Sequence, residues 1–265
     1  PRIGIAISNY EKEALDQIAA AVRSGGIISI CNGPARATSG IHNVNGKNSA
    51  SLTLQALSIN LPRLAYESNK DETYFRAELA LMIKPSLSAL LLRRKTISDN
   101  IRRGLLPAFS AVTQSSQLAS SNILVNLTGT RESVYNILGY DEPNGGADIL
   151  QKVLKTAADV AASQGKQAGE DSVGICMVSD DSGGRFASLD SEKYGKVSLT
   201  QSQNATSYSQ GILISGKDIL GKASMKEYLT IDKLMNGGFS ASLDLTDLAA
   251  GEIKTAIEAA SELPF

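Results

Sequence analysis

The stretch "RIGIAISNYEKEALDQIAAAVRSGGIISIC", Arg2 to Cys31, decides the fold class. Its opening, "RIGIAIS", is a short apolar run that reads as a strand, and "EKEALDQIAAAVRS" spaces its apolar residues at the helical period. The pair "GG" stops that helix, and "IISI" is a second strand. Strand, helix and strand in direct succession are the pattern of α/β proteins with mainly parallel sheets.

The alternation continues downstream. "LQALSINLPR" reads as a buried strand broken by Pro62, and a long helical tract opens at Asp71, a suitable N-cap, with Pro85 predicted to kink or divide it. Within that tract, "LLLRRK" predicts Arg93, Arg94 and Lys95 as solvated charges and not a nucleic-acid patch. "SNILVNLTGT" is a strand entering a turn, "ESVYNILG" a short helix, "NGGADILQKVLKTAADVAASQGKQ" a loop leading into a helix, and "SVGICMVSD" a further strand. Pro34 to Ser51 is poor in large apolar residues and reads as an exposed or site-lining loop. With no linker and no internal repeat, residues 1–265 are expected to form one α/β unit.

Composition narrows the function classes. A chain of 265 residues with 42% apolar content can bury a full core, and 26 basic residues against 27 acidic ones give no net drive toward nucleic acid or an anionic membrane. No apolar run is long enough to span a bilayer, and the first residues lack a secretion-signal layout, so a cytoplasmic location is the expectation. Two cysteines without CxxC spacing and the single His42 indicate neither a disulfide framework nor a metal site.

Several familiar chemistries also fail on spacing. "GIHNVNGKNS" carries five residues between Gly40 and Gly46, and Asn48 stands where a phosphate loop needs a hydroxyl. No GxGxxG occurs, and no G-x-S-x-G elbow accompanies His42. "SDDSGGRFASLD" gathers Asp180, Asp181 and Asp190, a composition open to an ordinary turn or to paired acids that share a proton or a metal. Cys176, between Ile175 and Met177, reads as a small buried hydrophobe. Cys31 stands where a strand meets a loop, and is open to a packed or a reactive thiol.

Taken in order, several stretches resemble the catalytic core of the anaerobic (class III, glycyl-radical) ribonucleotide reductases. "LSINLPRLAYESNKDETYF", Leu57 to Phe75, is similar to that family's T-I-N-L-P-R-I-A stretch and the acidic helix start after it. "NLTGTRESVYNILG" is similar to its GLxE segment, "SDDSGGRFASLDSEKYG" to AExxxxRFAxxD, and "LMNGG" to a late Gly-Gly turn. The resemblance runs from about Gly25 to Gly238.

The resemblance implies part of a glycyl-radical-type β/α barrel with long helices outside the strands, and reduction of ribonucleotides to 2′-deoxyribonucleotides for DNA precursor synthesis. It places Cys31 at the thiyl-radical position, upstream of the NLPR stretch. It assigns substrate-side positions to Asn60, Arg63, Glu132, Asp180 and Arg185, with Phe186 and Asp190 in the surrounding shell. Asp180 stands where the family has Glu, which keeps the charge and shortens the reach. The implied cofactor is a glycyl radical, supplied by a segment or partner other than these residues, with no metal in this chain. Neither an R-x-x-G-Y segment, a four-cysteine zinc segment nor an ATP-cone is read in the chain, and the loop after Cys31 lacks the CR dipeptide of many members. The implied partners are a ribonucleotide substrate, a radical-SAM activating enzyme and other copies of the chain in a homo-oligomer, with no nucleic acid and no membrane. A non-catalytic nucleotide-binding or assembly protein of the same fold, or a glycyl-radical enzyme with another substrate, are the alternatives.

Overall fold

The structure, a computed structural model, describes residues 3–6, 12–25, 28–31, 53–108, 121–139, 143–199, 206–221, 225–238, 240–245 and 248–261. The whole of the loop predicted from Pro34 to Ser51, His42 included, lies outside the described residues.

Strand β1 (Ile3–Ala6), helix α1 (Lys12–Arg23) and strand β2 (Ile28–Cys31) follow one another as the opening stretch predicts, and the strands pair in parallel from Ile3↔Ile28 to Ala6↔Cys31. The central sheet joins β3 (Thr53–Asn60), β4 (Asn122–Thr128) and β5 (Val173–Cys176) in the order β3-β4-β5, again all parallel. A last parallel pair comprises β6 (Ile212–Ser215) and β7 (Ala241–Asp244). Backbone bonds carry the sheet pattern past β5: Gly237 N–H donates to Ile175, Met177 N–H to Gly238, and Ser240 N–H to Met177. The described residues therefore form a mixed α/β fold with small parallel sheets, and a closed barrel is not among them.

Period-2 alternation sorts the central sheet into two faces. Ile59, Ile123, Val125, Leu127, Val173, Ile175 and Met177 point into the main core. There they meet Phe75, Leu79, Ile83, Leu87 and Leu90 of α3 (Glu72–Arg102), and Val153, Leu154 and Ala157 of α5 (Pro143–Ala168). The alternate residues Leu124, Cys176 and Val178 cluster on the other face. A satellite cluster joins α1 to the last helix, Ala250–Ser261, through Leu15, Ile18, Ile253 and Ile257.

Three local expectations change. Strand β3 ends at Asn60, and Pro62 starts the next helix, α2 (Leu61–Glu67), in the first turn where a missing N–H costs nothing. Asp71 caps α3, its Oδ1 accepting from the N–H groups of Thr73 and Tyr74 at 2.8 and 3.0 Å, but the helix runs on through Pro85. Pro85 and Leu81 are both exposed, so water can meet the carbonyl that proline leaves without its helical donor. Arg93 and Lys95 are exposed as predicted, whereas Arg94 is buried. Position 94 falls on the same face as Leu87 and Leu90, and its guanidinium pairs with Glu170 and donates to Ser121 O and Ser172 Oγ at 3.2 and 2.9 Å.

Candidate functional site

Parallel register brings the C-terminal ends of β3, β4 and β5 to one edge, with Asn60 opposite Thr128 and Asn126 opposite Cys176. Strand ends in such sheets are where side chains and loops can build a site, because the helices occupy the flanks. Here the edge carries polar residues from the non-core positions: Ser58, Asn60, Asn126 and Thr128.

Asp180, on the segment between β5 and α6 (Ser182–Tyr194), anchors the first part of this edge. Its Oδ2 accepts from Ser58 Oγ at 2.5 Å and Asn126 Nδ2 at 2.9 Å, and its Oδ1 accepts from Gln210 Nε2 at 2.5 Å and Ser182 N–H at 2.8 Å. Burial pushes this carboxyl up, but bonds from Ser182, Ser58 and Asn126 outweigh it and hold Asp180 below its ordinary value. Asn126 is itself fully buried, closing its bonds on Val178 O and Val178 N–H at 3.1 and 2.9 Å.

Asp190, fully buried on α6, anchors the second part. Its Oδ1 takes Arg63 Nε at 2.7 Å and a second guanidinium nitrogen at 2.6 Å, while Oδ2 takes Asn60 Nδ2 at 2.8 Å and Tyr208 Oη–H at 3.0 Å. Asn60 also caps α2, accepting from Arg63 N–H at 3.2 Å. Burial, then Tyr66 and the Asp190 charge, raise the Tyr208 phenol, so it stays a donor.

Glu132, in the first turn of α4 (Thr130–Leu138), anchors the third. It is fully buried and receives Ser209 N–H at 3.1 Å on each oxygen and Ser209 Oγ–H at 2.5 Å. The three consecutive residues Tyr208, Ser209 and Gln210 thus each donate to a different carboxylate, those of Asp190, Glu132 and Asp180. They form a strap across the sheet edge, joined to it by Gly129 N–H donating to Ser209 O at 2.8 Å and an antiparallel bridge between Thr128 and Gln210. Two glycines let the backbones close up. Gly129 has φ +76° and a Cβ there would lie 2.4 Å from the Pro62 ring; a Cβ on Gly183 would lie 2.8 Å from Tyr208 O.

A family model described as anaerobic ribonucleoside-triphosphate reductase matches residues 13–243. The chain belongs to this family. Among solved structures, the anaerobic ribonucleotide reductase from Thermotoga maritima in complex with dATP and CTP matches 100% of this chain at TM-score 0.69 and 16% identity, over 46% of its own length. The same organism's enzyme with glycerol in the active site matches 83% of this chain at TM-score 0.61 and 20% identity, over 37% of its own length. The chain therefore spans less than half the length of these structures, and what it shares with them is the fold. No curated protein sequence matches it.

Within this member of the family, the edge brings together four of the positions that the resemblance singled out. Asn60 and Arg63 meet on Asp190, while Asp180 and Glu132 are tied through the strap. Arg185 stands apart, exposed on α6 and without a hydrogen bond or ion pair among the described residues. Cys31 is the last residue of β2, and its side chain lies outside the described residues. Asp181 precedes α6 and makes no side-chain cap, so "DDSGG" is a helix entry. Cys176 is the buried thiol the sequence predicts: burial, helped by the Asp180 charge, pushes it up to about 12. Among the described residues no three His, Cys, Asp or Glu side chains converge as metal ligands.

Sequence reasoning missed Ser58, Asn126, Ser182 and the strap. A signal existed for Asn126: a lone amide inside "ILVNLT", in a strand buried on both faces, needs partners. The strap residues carried none, because "TSYSQG" is ordinary polar loop composition.

Proposed function

We propose that the chain is a catalytic-core segment of an anaerobic ribonucleotide reductase, which replaces the 2′ hydroxyl of a ribonucleotide by hydrogen. The observation that carries this reading is the family match over residues 13–243 together with a built polar edge at the ends of β3, β4 and β5. The neighbours include a structure holding dATP and CTP, which supports a nucleotide as ligand.

Roles follow from the bonds each group has left. Asp180 has four protein donors on two oxygens, so it serves as a fixed negative charge that shapes the edge and not as a proton acceptor. Glu132 is likewise saturated by Ser209 and positions the strap. Arg63 differs: Asp190 holds one side of its fork while the side chain keeps 34% of its exposure, leaving donors for an anion. Arg185, exposed on the same helix as Asp190 and apart from the edge, is kept as a phosphate ligand by the resemblance alone.

Cys31 is assigned as the thiol that exchanges a hydrogen atom with the ribose 3′ carbon, and its backbone position at a strand end fits that task. A glycyl radical, when supplied, provides the radical character this thiol chemistry needs. Sulfur suits the role because an S–H bond is close in strength to the C–H bonds exchanged, which a serine hydroxyl is not. A radical-SAM activating enzyme and self-association belong to the same proposal.

The test is ribonucleotide reduction by the assembled enzyme with its glycyl-bearing segment. Cys31→Ser is expected to abolish turnover and Cys176→Ser to retain it. Turnover in Cys31→Ser overturns the assignment.

A further inference from the structure

Asp190 divides its two oxygens between two tasks. Oδ1 holds Arg63 through two guanidinium nitrogens, at 2.7 and 2.6 Å, while Oδ2 accepts from Asn60 Nδ2 at 2.8 Å and from the Tyr208 hydroxyl at 3.0 Å. Both oxygens lie in one rigid plane, so whatever fixes Oδ2 also fixes where Oδ1 faces, and with it the direction of the planar Arg63 fork. The Arg63 side chain keeps 34% of its exposure, whereas Asp190 and Tyr208 keep none. The cation meets the solvent, and the two groups behind it do not.

Of the two donors on Oδ2, only Tyr208 is independent of the helix that carries Arg63. Asn60 caps α2 and accepts from Arg63 N–H at 3.2 Å, so it travels with the arginine. Tyr208 belongs to the strap, whose backbone is held elsewhere. Its own N–H donates to Gly183 O at 3.3 Å, and the next residue, Ser209, donates to Glu132 and accepts from Gly129 N–H. The contact with α6 is close: a Cβ on Gly183 would lie 2.8 Å from Tyr208 O. A phenol on so constrained a backbone is a fixed reference for the carboxylate that it touches.

We propose that Tyr208 is a positioning residue for anion recognition, which acts through Asp190 to aim the remaining Arg63 N–H groups at the phosphates of a nucleotide. The inference rests on the reading above in which Arg63 takes an anion. Without the hydroxyl, Arg63 and Asp190 stay paired but swing together with α2, so that aim is lost and charge is not.

Equilibrium binding of CTP, with cytidine as the probe that lacks phosphate, tests this on the assembled enzyme with its glycyl-bearing segment. Arg63→Ala is expected to weaken CTP about a hundredfold, as truncation of a charged partner does. Tyr208→Phe keeps the ring and is expected to weaken CTP roughly tenfold, the worth of one hydrogen bond to a charged group. Cytidine is expected to bind both variants as it binds wild type. Added to Arg63→Ala, Tyr208→Phe is expected to cost nothing further for CTP, because the group that it aims is gone. Asp190→Asn breaks the same link from the other side and is expected to lose CTP and not cytidine, which keeps the test open if Tyr208→Phe does not fold. Lys193→Ala, which removes only the outer ion pair between α6 and α2, is expected to leave both affinities within about twofold of wild type. Unchanged CTP affinity in Tyr208→Phe alongside a loss in Arg63→Ala overturns the role of Tyr208 and leaves Arg63 as the anion ligand. Unchanged CTP affinity in Arg63→Ala overturns that earlier reading and this inference with it. Equal weakening of CTP and cytidine, additive losses in the double variant, or a tenfold loss in Lys193→Ala would mean general loosening and also overturn it.

Discussion

The two faces of the β3-β4-β5 sheet are made by the same strands, residue by alternate residue, yet they are held by different forces. On one face Ile59, Val125, Leu127 and Ile175 meet helices α3 and α5 in a dry core. Toward the strand ends of the other, Ser58, Asn60, Asn126 and Thr128 meet buried carboxylates and the Tyr208–Gln210 strap. The apolar face gains from area removed from water and tolerates any well-packed hydrophobe of similar volume. The polar edge gains little net from each bond but loses much when one partner goes, because the others stay buried and unpaired. Stability is thus concentrated on the helix side and specificity of geometry on the strap side.

The contrast can be broken most strongly at its apolar half. Phe75→Ala removes a fully buried ring from α3 and is expected to cost about 4 kcal/mol in urea unfolding followed by circular dichroism. A cost below about 1 kcal/mol would mean that the face is not the core. Next comes Asp190→Ala, which strands Arg63, Asn60 and Tyr208 together. About 3 kcal/mol is expected, moderated by the solvent access of Arg63, with hydrogen exchange rising at 208–210. Unchanged protection of the strap would separate it from the carboxylates.

Asp180→Asn should cost less, about 1 kcal/mol near neutrality, and its pH dependence sharpens the comparison. The folded carboxyl lies below its ordinary value of 3.8. Its stabilisation is therefore present above that value and fades as pH falls through the lower folded one, so the gap between wild type and Asp180→Asn closes in acid. A gap that widens in acid would contradict the bonding seen. Near neutrality the smallest effect belongs to Cys176, whose thiol is protonated there in the folded and the unfolded chain alike. An ordinary thiol at 9.0 raised to about 12 stays protonated in the folded chain while the unfolded one ionises. Wild-type stability should thus fall between pH 9 and 12 by a component absent from Cys176→Ala. Iodoacetamide at pH 8 should leave the Cys176 peptide unmodified until denaturant is added.

Much of the fold was legible because its signals are local. The strand–helix–strand opening, the Asp71 cap and the buried character of Cys176 each depend on a few neighbouring residues, and each stands in the structure as read. Arg94 was misread because three consecutive charges look solvated until helical phase turns the middle one inward, where Glu170 and Ser172, far along the chain, receive it. At the site, the motif residues Asn60, Arg63, Glu132 and Asp180 were all visible as candidates, but their partners were not. Hydrogen bonds from Ser58 to Asp180 or from Tyr208 to Asp190 join positions that the sequence gives no local reason to connect.

By itself, then, the sequence determined the parallel α/β class, the alternating faces, the helix entries and the family resemblance, since periodicity, capping and motif order are properties of contiguous residues. Only the tertiary structure decided that three motif acids are bound to three successive residues of one strap, and that Arg94 is buried while Arg185 is not. The physical reason is that a carboxylate's role depends on how many donors reach it, and those donors arrive from strands, helices and loops that meet only when the chain has folded.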